Sequence, residues 1–160
     1  MVIRNFFEAI IFGVFAVVFS FFVQVFFGIV LQILSGNIET TSLGFEENIY
    51  VFLLFIAVEE FFRSIFAIFL LKRIKGDWLF LSGIGFGLGF AGVELVAAYY
   101  NSGLVLSVFS AVSLVLFHII ISLLVTQYLG RVGFNMLFIL IFVFMFALHV
   151  SYNLLVIRFV

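Results

Sequence analysis

Five apolar runs, each longer than the roughly 20 helical residues needed to cross a ~30 Å hydrocarbon core, take up most of this 160-residue chain. They extend from about Phe6 to Leu34, Asn48 to Leu71, Trp78 to Tyr100, Leu104 to Leu129 and Phe134 to Phe159. The runs are far too long for barrel strands, and open strand edges in lipid would leave backbone polar groups unsatisfied. The expected fold is therefore all-α, a polytopic membrane helix bundle with about five transmembrane helices. Composition supports a lipid solvent: 67% of residues are hydrophobic, 9% are charged, and the mean hydropathy is +1.47. A soluble domain uses about 25% charged residues to coat its surface. Connectors are short, the longest being Ser35 to Glu47, which implies one integral membrane domain over residues 1–160. The first run follows Arg4 as a signal peptide would, but its apolar stretch is about twice a signal h-region and shows no A-x-A site, so it is read as a retained span.

Several function classes drop out. A net charge of -1 gives no basic field for nucleic acid. The absence of cysteine removes disulfides, thiolate nucleophiles and thiolate metal sites. Gly87 to Gly92, GLGFAG, satisfies G-x-G-x-x-G, but it lies inside an apolar span with no preceding strand and is not a dinucleotide site. Packing accounts for it better: Gly83, Gly87 and Ala91 share a helical stripe with Glu94, letting a neighbouring backbone approach beside that carboxylate. Neither H-E-x-x-H nor G-x-S-x-G occurs, and Ser107, Ser110 and Ser113 are assigned to helix packing.

Glu59, Glu60, Arg63, Glu94, His118 and His149 fall inside the spans, where each costs a few kcal/mol unless it faces a partner or a wet cavity. Counted at about 1.5 Å per residue from the Lys72 to Lys75 side, all but Arg63 lie ~16–24 Å deep, a single layer at or just beyond the bilayer midplane. Six such residues on four helices point to a shared polar site rather than separate structural pairs. On the second span Glu59 and Glu60 sit about 100° apart with Arg63 projecting between them, so one guanidinium can hold both carboxylates. The clamped glutamate stays ionised, and the other, desolvated beside a like charge, is suited to general-base work. His118 shares a stripe with Ser122, and His149 with Asn153, each at i and i+4. Histidines with hydrogen-bonding neighbours and three glutamates at matching depth fit acid/base chemistry or metal ligation.

Taken in order, Glu59-Glu60-x-x-Arg63, Phe90-x-x-x-Glu94 within GLGFAGVE, His118, and His149-x-x-x-Asn153 resemble the motifs of the glutamic-type intramembrane protease superfamily. The set is most similar to the PrsW and YhfC families, related to the CAAX-processing and bacteriocin-processing proteases. Its first motif is E-E-x-x-R, where the CAAX pattern is E-E-x-x-x-R. The resemblance covers roughly Val58 to Asn153 and leaves the first span outside it. It implies an intramembrane endopeptidase acting on a membrane-embedded peptide or protein. In that scheme Glu60 or Glu59 activates the water and Arg63 orients the glutamates. Glu94 and His118 position water or shuttle the proton, and His149 with Asn153 stabilises the oxyanion. A metal-free form is expected. By ligand type Glu94, His118 and His149 could instead hold a divalent metal such as zinc, with Glu60 as base. The competing expectations are a proton- or divalent-cation-coupled transporter using the same residues as a pathway, and a catalytically inactive membrane scaffold of the same fold.

Basic residues set the expected topology in a prokaryotic cell membrane. With the N-terminus cytoplasmic, Arg4, Lys72, Arg73, Lys75 and Arg131 lie inside and only Arg158 outside, which puts the C-terminus outside.

Overall fold

The computed structural model describes residues 2–35, 49–74, 78–102, 107–132 and 135–159. They form five helices, α1 (Val2–Ser35), α2 (Ile49–Arg73), α3 (Leu79–Ser102), α4 (Val108–Val132) and α5 (Met136–Phe159), and no strand among the described residues. The all-α bundle is as expected. Helix boundaries differ from the apolar runs by a few residues because polar residues extend or cap the ends. α1 takes in Arg4 and Glu8, an i,i+4 pair 3.8 Å apart. α4 starts after Ser107, whose Oγ accepts from the Ser110 amide at 3.0 Å, and α5 after Asn135, whose Oδ1 accepts from the Phe138 amide at 3.3 Å. Ser107 is thus a helix cap rather than a packing residue. The Ser35 to Glu47 connector lies outside the described residues apart from Ser35, as does Lys75.

α1, α3, α4 and α5 are each long and apolar enough to cross a membrane, and the chain is a membrane protein. α2, at 25 residues, has the length but carries Glu59, Glu60 and Arg63 at its centre. Its buried face is therefore directed at the other helices, where those charges find partners. Large apolar side chains such as Phe7, Phe22, Phe26, Phe80, Leu140 and Phe144 cover the outside of the bundle, as lipid-facing helices require.

Glycine decides how closely the helices meet. α3 presents two glycine faces. Gly83 and Gly87 lie against α4, where an added Cβ would come within 2.6 Å of Thr126 Oγ1 or of the Ile119 Cα. Gly85 and Gly89 lie against α1, and Gly13 of α1 answers them: a Cβ on Gly89 would strike the Ile10 carbonyl oxygen, and one on Gly13 the Phe86 carbonyl oxygen. The expected stripe of Gly83, Gly87 and Glu94 is thus real, and a second glycine face one step round the helix seats α1. Matching of Phe6 with Gly85 and Ile10 with Gly89 makes α1 and α3 parallel. α2 runs antiparallel to α1, with Phe12 against Phe66 and Phe19 against Phe62. Phe86, Phe90, Ile121, Val125 and Met145 belong to the buried apolar core.

Candidate functional site

Six ionisable side chains from α2, α3, α4 and α5, with one amide from α1, form a continuous polar chain in the middle of the bundle. At one end Glu94 Oε2 of α3 is 2.7 Å from His118 Nε2 of α4. The other ring nitrogen, Nδ1, lies 2.8 Å from Arg63 Nη2 of α2. Arg63 Nη2 is also 3.5 Å from Glu60 Oε1, one turn back on the same helix. Glu60 Oε1 is 2.7 Å from His149 Nδ1 of α5, and His149 Nε2 is 3.5 Å from Glu59 Oε2. Glu59 Oε1 accepts from Gln24 Nε2 of α1 at 2.9 Å, and the same amide donates to the Phe55 carbonyl at 3.2 Å. The single layer expected from helix arithmetic is therefore one connected cluster.

Hydrogen accounting fixes the proton positions. A guanidinium can only donate, so His118 Nδ1 accepts from Arg63, and the ring proton sits on Nε2 and is given to Glu94. His149 donates from Nδ1 to the Glu60 carboxylate, which turns Nε2 toward Glu59. Glu60, Arg63 and His118 have no accessible side-chain surface, whereas Glu59 and Glu94 retain 14% and 16%. The cluster thus has a sealed inner half and an edge where two carboxylates meet the outside.

This division corrects the expected double clamp. Arg63 pairs with Glu60 and not with Glu59, because its guanidinium sits over the Phe90 ring, 3.9 Å from the centroid, and is turned toward His118 of α4. Phe90 also stacks on His118 with centroids 5.1 Å apart, so one ring supports both members of the Arg63–His118 bond. Glu59 is held by Gln24 instead. Asn153 makes no hydrogen bond to the cluster among the described residues, and Ser122 Oγ is buried without a partner among them.

Three further side chains, none given a role by the sequence, hold or flank the cluster. Gln24 lies on α1, outside the resemblance, and the only sequence signal was an amide in a mostly apolar stretch that also holds Ser20 and Gln32. Phe90 was visible as a spacer, with nothing to distinguish it from 26 other phenylalanines. Tyr152, one turn beyond His149, stacks on Phe117 with centroids 4.2 Å apart and planes 8° from parallel. Phe117 in turn packs against both His118 and His149, at 5.2 Å each. The Tyr152 hydroxyl lies 3.3 Å from Ser113 Oγ, whose own proton goes to the Ser110 carbonyl at 2.9 Å. Tyr152 is therefore the donor in a long bond that is easily redirected.

Four buried polar atoms of the cluster, Glu60 Oε2, Arg63 Nε and Nη1, and Glu94 Oε1, have no hydrogen-bond partner among the described residues. Donors and acceptors together, in a buried space, are the chemistry that receives water. Metal ligation is less well matched. Ligand atoms of Glu94, His118 and His149 lie within 4.8 Å of one another, near enough to reach one ion, but the protons they carry are already placed. Ligation through His118 Nε2 would also displace the proton shared with Glu94 while Arg63 still occupies Nδ1, leaving an imidazolate. The donor types suit zinc; the arrangement of protons does not.

Comparison with protein-family models, with curated proteins and with solved structures finds no match to this chain.

Proposed function

We propose that this protein is an intramembrane endopeptidase that hydrolyses a membrane-embedded peptide or protein by a glutamate-activated water, without a metal. The observation that carries the reading is the unequal environment of the two adjacent glutamates. Glu60 is sealed and committed to Arg63 and His149, while Glu59 faces the accessible edge beside His149 Nε2. Unequal carboxylates side by side divide the labour of hydrolysis, one orienting and one accepting a proton. The ordered motifs Glu59-Glu60-x-x-Arg63, Glu94, His118 and His149 resemble those of glutamic intramembrane proteases, which supports the same reading.

In this mechanism a water bound between Glu59 and His149 Nε2 gives a proton to Glu59 as its oxygen attacks the scissile carbonyl carbon. The proton then passes to the departing amide nitrogen as the carbon–nitrogen bond breaks, giving a carboxylate and an amine. Glu60 fixes the ring orientation of His149, as an outer-shell carboxylate does. Tyr152, rather than Asn153, supplies an oxyanion donor by turning its hydroxyl from Ser113 to the substrate. Glu94, oriented by His118, binds the peptide amide on the leaving side.

The transport reading is less well supported. A proton path through the cluster would have to cross Arg63, which links His118 to Glu60 and whose guanidinium offers donors but no acceptor to relay a proton.

The deciding experiment compares new peptide N-termini in membranes holding the wild-type protein with those holding Glu59→Gln, each with and without a strong chelator. Wild type should generate termini within or beside transmembrane segments, Glu59→Gln should lower them at least about 100-fold, and the chelator should change nothing. Identical termini in the two membranes would overturn the hydrolase reading. Loss of activity with the chelator would transfer the water to a metal.

A further inference from the structure

The groove between α4 and α5 on the outside of the bundle is separate from the polar cluster and has a chemistry of its own. It encloses about 640 Å³, within the ~300–1,000 Å³ of ligand pockets. Its walls are apolar, formed by Ile120 and Leu124 of α4 and Ile141 and Phe144 of α5, and Gln127 and Arg131 lie at one end. Ile120, Leu124 and Phe144 are 54%, 41% and 55% exposed, so the groove opens on the lipid-facing surface.

Its length and polarity match one membrane leaflet. From Ile120 to Arg131 is ~16 Å along α4, about half the ~30 Å hydrocarbon core. Arg131 is in the last turn of α4 and is exposed, which puts its guanidinium where lipid phosphates lie. The same end of the bundle carries Arg73, stacked over Phe12 of α1 at 5.5 Å, and the contact of Gly130 with Leu79 fixes α4's end beside α3's start. A lone arginine completing a helix C-terminus needs no groove beneath it; here the cation stands at the mouth of an apolar channel that runs one leaflet deep. Among the described residues no carboxylate pairs with Arg131, and the neighbouring Tyr128 hydroxyl is already given to Asn135 Oδ1 at 2.9 Å.

We propose that this groove holds one anionic glycerophospholipid of the leaflet at the basic end, with its phosphate on Arg131 and Gln127 and one acyl chain along Ile120, Leu124, Ile141 and Phe144. Because the groove shares no residue with the polar cluster, the proposal stands apart from the hydrolase reading.

The test is native mass spectrometry of the detergent-purified protein exposed to equal amounts of phosphatidylglycerol and phosphatidylcholine. Wild type should retain one phosphatidylglycerol with about a fivefold preference, the size of effect one basic residue confers at an anionic surface. Arg131→Gln should abolish the preference and Arg131→Lys restore most of it. Arg73→Gln, at the same end but outside the groove, should leave it unchanged. Leu124→Trp, which fills the channel, should remove the retained lipid of either kind, and inorganic phosphate should not compete. Equal loss with Arg73→Gln and Arg131→Gln would reduce the effect to a diffuse basic collar and overturn the proposal, as would undiminished retention by Leu124→Trp. The hydrolase experiment can fail without touching this result, and the reverse also holds.

Discussion

Arg63 is the residue on which the polar cluster turns. Its guanidinium is buried, donates to His118, faces Glu60 and lies on Phe90, so three helices depend on one side chain. Arg63→Ala would leave Glu60 and His118 buried without their cation. The expected cost is about 3–5 kcal/mol, the range for breaking a buried pair by removing one partner, read as a lowered thermal midpoint in detergent. Arg63→Lys should recover only part of it, because a compact ammonium cannot hold Glu60 and His118 together from its place over the Phe90 ring. An unchanged midpoint for Arg63→Ala would show that the guanidinium is not structural. Gln24 is predicted to behave differently. It touches Glu59 but supports nothing else in the cluster, so Gln24→Leu should keep the fold and slow peptide cleavage about tenfold, the size of one hydrogen bond in transition-state energy. Equal cleavage rates for Gln24→Leu and wild type would remove α1 from the site.

At the scale of helices, α3 is the element that assembles the bundle. Its alternating glycines let α1 approach on one side and α4 on the other, and Glu94 and His118 meet only because the α3–α4 backbones are so close at Gly87. A side chain at Gly89 or Gly13 would meet main-chain carbonyl oxygens, which cannot swing away. Gly89→Leu and Gly13→Leu should therefore each destabilise by about 1–3 kcal/mol or more. Gly92 on the same helix has open space where its Cβ would go, so Gly92→Leu should stay within about 0.5 kcal/mol of wild type. Thermal melts of the three variants side by side check the assignment, and a stability loss in Gly92→Leu equal to the others would mean that glycine count, not placement, matters.

For the whole molecule, Arg4, Lys72, Arg73 and Arg131 fall at one end of the bundle, α1 starting where α2 and α4 finish. By the positive-inside rule that end is proposed to be cytoplasmic, with the C-terminus outside. A C-terminal phosphatase fusion should be active in intact cells, and a C-terminal fluorescent reporter that requires the cytoplasm should be dark; the opposite pattern would invert the molecule. The membrane bundle itself was legible in the sequence, because five long apolar runs permit no other solvent and no other backbone pairing. The shared layer of Glu59, Glu60, Arg63, Glu94, His118 and His149 was legible too, since rise per residue converts position in a span directly into depth. Rotation about each helix axis was not legible. Hydrophobic runs that are apolar all round carry no face to read, so which glutamate Arg63 would take, that Gln24 would reach Glu59, and that Tyr152 would stack on Phe117 waited on how the helices pack. Packing of α1 and α4 on α3 was in turn set by α3's glycines, whose two faces fix how closely those backbones meet and so bring Glu94 to His118. Depth is a property of one helix and its own sequence; azimuth belongs to the bundle, and only the tertiary structure decided it.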